Sequence, residues 1–375
     1  MARRTVRELA GRLVGLGMVT EEKAAAVLAD IGAEDHLDEE LRGRALAGWL
    51  PEFGIAFSVH GEDVDYVEDY YPDLLEEDIA ACTGGAVVIS DVVLVRYDGI
   101  EKLYLVRNGE PVWWSVSHES DDYVDLAAVA GQINDLDPGG DDPRTFHQLR
   151  PEKVDVTQDD IYVLASPEQA RALHDEFGLD FYGLDSEWPR RGAAPTAEPG
   201  TKEWYMQEDR RYMTEPAKEF LDRWLSDMDG ALDGWRTRFL PADFPFDFSP
   251  ASLDALERLV LDRFANRPAV EAAAADPFVV GAVRYLGEAL VRSGAGHWGY
   301  RDLVDSIYDR VPLIRSNTPD AFWGIVIPLH QLGTAADRRE PGALGRSVEE
   351  LHDAADRYAR ALRALDSIRR SEVDV

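Results

Sequence analysis

Eight histidines and one cysteine are the imidazole and thiol groups this chain offers for nucleophilic or metal chemistry. No histidine pair falls at the H-E-x-x-H spacing that places two imidazoles on one face of a zinc-binding helix. A single cysteine excludes an internal disulfide and any multi-thiolate metal site, so no metal and no cofactor are expected. Cys82, beside Gly84-Gly85, reads as a small buried hydrophobe. His118, in Ser115-Val-Ser117-His118-Glu119-Ser120, is the one imidazole flanked by hydroxyls and a carboxylate, the residue types of a general-base relay. Triad members usually come from separate segments, however, so a packed polar turn is the plainer reading until geometry says otherwise. Glu288 is the second candidate carboxylate. Neither a G-x-S-x-G elbow nor a Walker loop occurs.

Two further strings mimic binding motifs. Gly294-Ala-Gly296-His-Trp-Gly299 matches the dinucleotide G-x-G-x-x-G, which needs a strand before it and a helix after it. Here the periodicity predicts the reverse, and a glycine stop at the end of a helix explains the string. Asn134-Asp135-Leu-Asp137-Pro-Gly-Gly-Asp141-Asp142 has the look of a calcium loop. With Asp135 at the first position, Gly140 lands on the invariant glycine, but Gly139 occupies a ligand position and Phe146 stands where the bidentate Glu belongs. A solvated turn is the expectation.

The charge pattern says more. Between Arg44 and Arg144 there are 22 acidic residues and only three basic ones, Arg96, Lys102 and Arg107. Residues 1–190 carry 41 acidic and 15 basic side chains, a net of −26, and residues 191–375 carry 31 and 24, a net of −7. A one-sided negative field repels nucleic acid and anionic membrane and speeds encounter with basic proteins. Within this half, Trp113-Trp114 lies on the last strand of a predicted meander, where successive side chains face opposite ways. One indole is therefore expected in the core and the other exposed. With Asp121, Asp122 and Asp125 it forms the candidate partner-binding set; burial of both indoles is the competing expectation.

The elements that must position these residues are mostly legible. Thr20-Glu-Glu predicts a capped helix through Ala24–Ile31, and a second is expected from Leu37 to Leu50. Ile55–Val59 alternates as a strand, and Pro72–Ala81 reads as an acidic helix stopped by Gly84-Gly85. Ala86–Tyr97, Glu101–Val106 and Pro111–Val116, separated by Asp98-Gly99 and Asn108-Gly109, predict an antiparallel meander. A helix over Asp121–Leu136 capped by Ser120 or Asp121, a strand at Asp160–Leu164, and a Ser166-Pro167-led helix ending near Gly178 follow. Residues 189–203 are the linker candidate. Beyond them lie amphipathic stretches at Glu203–Phe239, Ser252–Phe264, Asp276–Val291 and Ser347–Ile368, interrupted by a short pair, His297–Tyr300 with Val311–Arg315. The fold class is α+β. An acidic domain over 1–188 holds helices and a small antiparallel sheet, and a mostly helical domain spans 204–375.

Three segments of the second half resemble uncharacterised bacterial domains. They are Ser252-Leu-Asp-Ala-Leu-Glu-Arg-Leu259, Ala282-Val-Arg-Tyr-Leu-Gly-Glu-Ala-Leu290 and Gly296-His-Trp298. In that family a Y-L-G-E-x-L helix precedes a Gly-x-Trp turn, and the resemblance implies no reaction. The first half is similar, more loosely, to bacterial immunity-type modules that present an acidic face to a toxin. The expected function is a non-enzymatic, cytoplasmic interaction module, an inhibitor of a basic toxin or nuclease, with a basic protein partner and no nucleic acid or membrane. The alternatives are an enzyme with a site between the domains, using His118 or Glu288, and a structural component of a larger assembly. The N-terminal apolar stretch is broken by Arg12 and three glycines and followed by Glu21-Glu22-Lys23, so no secretory signal is expected.

Overall fold

The computed structural model describes residues 4–31, 37–62, 64–150, 159–184, 192–302, 310–322 and 324–373. It is a mixed α+β protein that divides into two compact units, one of residues 1–191 with 367–375 and one of residues 192–366. Among the described residues no helix is long and apolar enough to cross a membrane.

Unit 1 begins with α1 (Val6–Gly15) and α2 (Glu21–Ile31). Thr5 and Thr20 cap them by accepting the amides of Glu8 and Lys23. The helix expected over Leu37–Leu50 is shorter: only α3 (Gly43–Ala47) and a 3₁₀ turn at Pro51–Phe53 form. Gly43 sits at φ +49°, a left-handed conformation that interrupts any helix arriving from Leu37. After β1 (Ala56–Val59), the acidic segment is helical from Val67 to Thr83: α4 (Val67–Pro72), a π-helical turn Asp73–Asp78, and α5 (Ile79–Thr83). Gly84, at φ +63°, ends it. The Cys82 thiol donates to the Ala56 carbonyl, and burial pushes its pKa up to about 12, the behaviour of a structural thiol.

The meander forms as its turns dictate, from β2 (Ile89–Tyr97), β3 (Ile100–Arg107) and β4 (Glu110–Val116). Asp98-Gly99 and Asn108-Gly109 take positive φ at both positions, the requirement of a type I′ hairpin. The helix expected over Asp121–Leu136 is displaced. It runs only over α6 (Leu126–Gln132), continued by a 3₁₀ turn, and its cap is Asp125, not Ser120 or Asp121. The reason is tertiary. The Val67 amide donates to the Asp121 carbonyl and the Val124 amide to the Gly61 carbonyl, while the Tyr123 amide closes a turn on the Ser120 carbonyl, so 120–124 is tied down as a turn and does not wind into the helix. A second sheet, in the order β1-β6-β5, joins β1 to β6 (Asp160–Ala165) and to β5 (Thr145–Gln148), a strand the sequence did not suggest. α7 (Pro167–Phe177) opens on a full Ser166/Gln169 capping box and closes at Gly178.

In unit 2 the stretch 203–239 resolves into α8 (Lys202–Arg211), α9 (Glu215–Ser226) and α10 (Met228–Phe239). Thr214, with Pro216 behind it, restarts the helix by accepting the Ala217 amide. Then come α11 (Pro250–Arg263), α12 (Arg267–Ala272) and α13 (Pro277–Arg292), each led by a capping side chain and a proline. A small antiparallel sheet follows, β7 (Gly296–Gly299), β8 (Leu313–Ser316) and the two-residue β9 (Ile325–Val326), with α14 (Pro328–Arg338) and α15 (Ala343–Val373) closing the chain. Helix α13 is buried along most of its length, and two glycines admit indoles against it. A Cβ on Gly281 would lie 1.9 Å from Trp235, and one on Gly287 2.0 Å from Trp298. The close approach at Gly287 is therefore made by a strand indole, not by another helix.

Candidate functional site

The bonds that tie down the 121–124 turn also create an acidic surface on unit 1. They set Asp65, Glu68 and Asp69, at the start of α4, beside Glu119, Asp121 and Asp122 from the loop after β4, all six exposed. Arg96 of β2 is the base that enters this edge, and it is shared three ways. Nε donates to Glu101 at 2.8 Å, Nη1 to Glu68 at 3.0 Å and Nη2 to Asp121 at 2.6 Å. Among the described residues no cation pairs with Asp65, Asp69, Glu119 or Asp122. Tyr66 and Tyr123, interleaved with these acids, are 57% and 39% exposed. The edge therefore combines anionic groups with aromatic faces.

Further along the same helical segment like charges crowd. Burial, with Glu77 and Asp73 as neighbours, raises the pKa of Asp78 above the ordinary carboxylate value.

The sequence-derived partner set is only partly on this surface. Asp121 and Asp122 are, whereas Asp125 faces inward, with Oδ1 accepting the Ala128 amide and Oδ2 that of Ser117. The expectation of an exposed indole is not met. Trp114 is 0% exposed and donates Nε1–H to Asp135; Trp113 is 4% exposed and meets Tyr104 edge-on at 4.9 Å. Both faces of the meander are covered, and strand alternation alone does not reveal that. Arg369, from the part of α15 grouped with this unit, lies over the Tyr104 ring and pairs with Asp91. The calcium-like loop spends three of its four carboxylates internally, and Asp141 is exposed. Asp135 holds Trp114, Asp137 accepts the Phe146 amide, and Asp142 pairs with Arg144 at 2.7 Å.

His118 has a relay geometry with partners that the sequence did not single out. Its Nδ1 lies 2.9 Å from Glu101 Oε2 and its Nε2 2.9 Å from the Tyr71 hydroxyl. Ser115 and Ser117, its sequence neighbours, are not in that chain. The imidazole is 2% exposed, and burial drives the Tyr71 phenol well above its ordinary pKa. The arrangement pins α4 to the loop that carries Glu119–Asp122. Glu288 is likewise occupied: Oε1 accepts the Trp298 indole N–H at 2.9 Å, and Oε2 lies 3.3 Å from Arg292 Nε.

Unit 2 holds a polar cluster that sequence reading missed. Asp209 of α8 is buried, with Oδ1 bound to Arg301 and, at 2.8 Å, to Arg315 of β8. Burial opposes its charge, but Arg315, Arg301 and His297 outweigh it and hold the carboxyl below the ordinary value. His297, also buried, has Nδ1 2.9 Å from Asn317 Oδ1, and burial keeps its pKa low against the pull of Asp209. A charged residue on an amphipathic helix and two arginines about a hundred positions away give no local signal. Gly294 to Gly299 runs from the end of α13 into β7, the inverse of a dinucleotide fingerprint. No protein-family model, no curated protein and no solved structure matches this chain.

Proposed function

We propose that unit 1 is a protein-interaction module that engages a basic partner through the edge formed by Asp65, Glu68, Asp69, Glu119, Asp121 and Asp122 with Tyr66 and Tyr123. This is the chemistry expected of an immunity-type inhibitor of a basic toxin or nuclease acting in the cytoplasm. The supporting observation is the fusion of two acidic segments, more than fifty residues apart, into one edge that a single shared arginine serves. Such a field accelerates encounter with a cationic surface and discourages acidic competitors. Exposed tyrosines add apolar area and π faces on which arginine and lysine side chains rest. An interaction role is also favoured over catalysis because His118 and Glu288 are both committed to internal bonds.

The test is capture of a basic partner from the source cell by the intact protein, repeated with two variants. D65N/D69N/E119Q/D122N neutralises the edge but spares the carboxylates that hold Arg96. E21Q/E22Q/D30N/E52Q removes the same charge from exposed positions elsewhere in unit 1. Loss of about 10-fold or more in association rate for the first variant alone is the expected result. Equal binding by both variants, or no retained partner at physiological salt, refutes the proposal.

A further inference from the structure

Asparagine followed by glycine is the dipeptide most open to deamidation, because no side chain on the second residue screens its backbone nitrogen from the carboxamide. Asn108-Gly109 is the one such pair in this chain. It forms the exposed type I′ turn between β3 and β4, with φ +50° at Asn108 and +83° at Gly109. The other three asparagines, Asn134, Asn266 and Asn317, precede Asp135, Arg267 and Thr318, whose side chains crowd the nitrogen that would react.

The fold gives the Asn108 carboxamide a task. The Asn108 backbone amide donates to the Val88 carbonyl at 2.8 Å, one step beyond the last paired residues of the β2–β3 ladder, Ile89 and Arg107. The chain then turns away, and the side chain makes the return bond: the Val88 N–H donates to Oδ1 at 2.7 Å. Nδ2 adds a bond to the Ala86 carbonyl at 3.2 Å. Asn108 thus continues β3 with its side chain and fastens residues 86–88, the lead-in to β2. Thr83 holds the same lead-in from its other end, where its hydroxyl accepts the Val87 amide at 3.1 Å. A carboxamide bonded at both ends to residues 86–88 must leave them before it can turn onto the Gly109 nitrogen.

We infer that Asn108-Gly109 is a guarded deamidation site, held unreactive by the folded hairpin and reactive once residues 86–88 let go. The step needs only water and hydroxide. Hydroxide takes the Gly109 N–H proton, and the nitrogen lone pair attacks Asn108 Cγ. The Cγ–Nδ2 bond breaks, Nδ2 takes a proton from water and leaves as ammonia, and a succinimide ring remains. Water then adds to one of the two ring carbonyls and opens the ring to aspartate or isoaspartate, with nothing oxidised or reduced. Either product lacks the Nδ2 donor and sets a carboxylate against the Ala86 carbonyl. Isoaspartate also adds one carbon to the backbone, which a two-residue turn cannot absorb while keeping Arg107 opposite Glu110. The reaction is therefore a one-way mark of chains whose meander has opened. It does not depend on the acidic edge or on any partner.

The intact protein is held at mildly alkaline pH, native and in guanidinium chloride, and the peptide carrying each asparagine is followed by mass spectrometry, with isoaspartate separated by chromatography. In denaturant Asn108 is expected to react first of the four asparagines. In native buffer it should react roughly 10- to 100-fold more slowly than in denaturant, the worth of the bonds to residues 86–88 that must open. Val88→Pro deletes the N–H that holds Oδ1 and should raise the native rate by about 5-fold or more while leaving the rate in denaturant unchanged. Should that variant fail to fold, Thr83→Ala frees the lead-in at Val87 and is expected to act in the same direction. The inference is overturned by equal rates for Asn108 in native and denatured protein, by no preference for Asn108 over the other asparagines in denaturant, or by a native rate that neither variant raises.

Discussion

Replacing Gly281 by alanine puts the packing of unit 2 to a direct test. On an exposed helix, glycine to alanine stabilises by about 1 kcal/mol, because alanine has less backbone freedom to lose. Gly234 of α10 supplies that reference: it is exposed, and a Cβ there meets nothing within 4 Å. At Gly281 a Cβ would lie 1.9 Å from Cδ1 and 2.1 Å from Cγ of Trp235, atoms at the stiff root of the indole. The ring cannot slide along α13 without leaving the hydrogen bond from its Nε1 to the Phe278 carbonyl, 2.9 Å long. Losing that bond costs about 1 kcal/mol and repacking an overfilled site about 1–3 kcal/mol, against a propensity gain of about 1 kcal/mol. The net is a destabilisation of roughly 2 kcal/mol, or about 4–8 °C in the melting temperature of a unit of this size. Gly234→Ala should move in the other direction by about 1 kcal/mol or less. Scanning calorimetry of the intact chain resolves both shifts. If Gly281→Ala melts at or above the wild-type temperature, the indole does not rest on the Gly281 backbone and the packing described for α10 on α13 is wrong.

Two further perturbations act on charge. Asp209→Asn removes the carboxylate that Arg301 and Arg315 share; Arg315 keeps its pair with Asp320, whereas Arg301 loses its carboxylate partner in a mostly buried cluster, so a loss of about 3–5 kcal/mol is expected in urea denaturation. The pH dependence has a fixed sign. The folded pKa of Asp209 is depressed, so its contribution is complete above the unfolded carboxyl value of about 3.9 and is lost as pH falls below that through the lower folded value. A wild-type stability curve no steeper than that of D209N in this acid window contradicts the assignment. Asp78→Asn should act oppositely and raise the melting temperature at neutral pH. Burial, Glu77 and Asp73 all disfavour its charge, and an unchanged or lower melting temperature would count against like-charge repulsion there.

Much of the fold was written in local sequence because its causes are local. Asp98-Gly99 and Asn108-Gly109 specify type I′ turns by themselves, and those turns set the registers Arg96–Glu101 and Val106–Pro111 on either side of β3. Ser166-Pro167, Ser249-Pro250 and Asp276-Pro277 begin helices because a capping oxygen and a fixed φ act within one turn. The acidic bias of the first half is likewise a property of composition. What tertiary structure decided is where extended and helical options competed, and which polar groups met. Asp121–Val124 has the pattern of a helix start, yet bonds to Gly61 and Val67 hold it as a turn, and the cap moves to Asp125. Trp113 and Trp114 alternate as strand residues must, but period two says only that they face apart, and here both sides are covered. His118 was singled out for its neighbours in sequence, whereas its partners are Tyr71 and Glu101, 47 and 17 residues away. Arg284 is one arginine among 34 in the sequence. Only the packing around α13 leaves its Nε buried without an acceptor, since pairing is a property of distance in space and not of order along the chain.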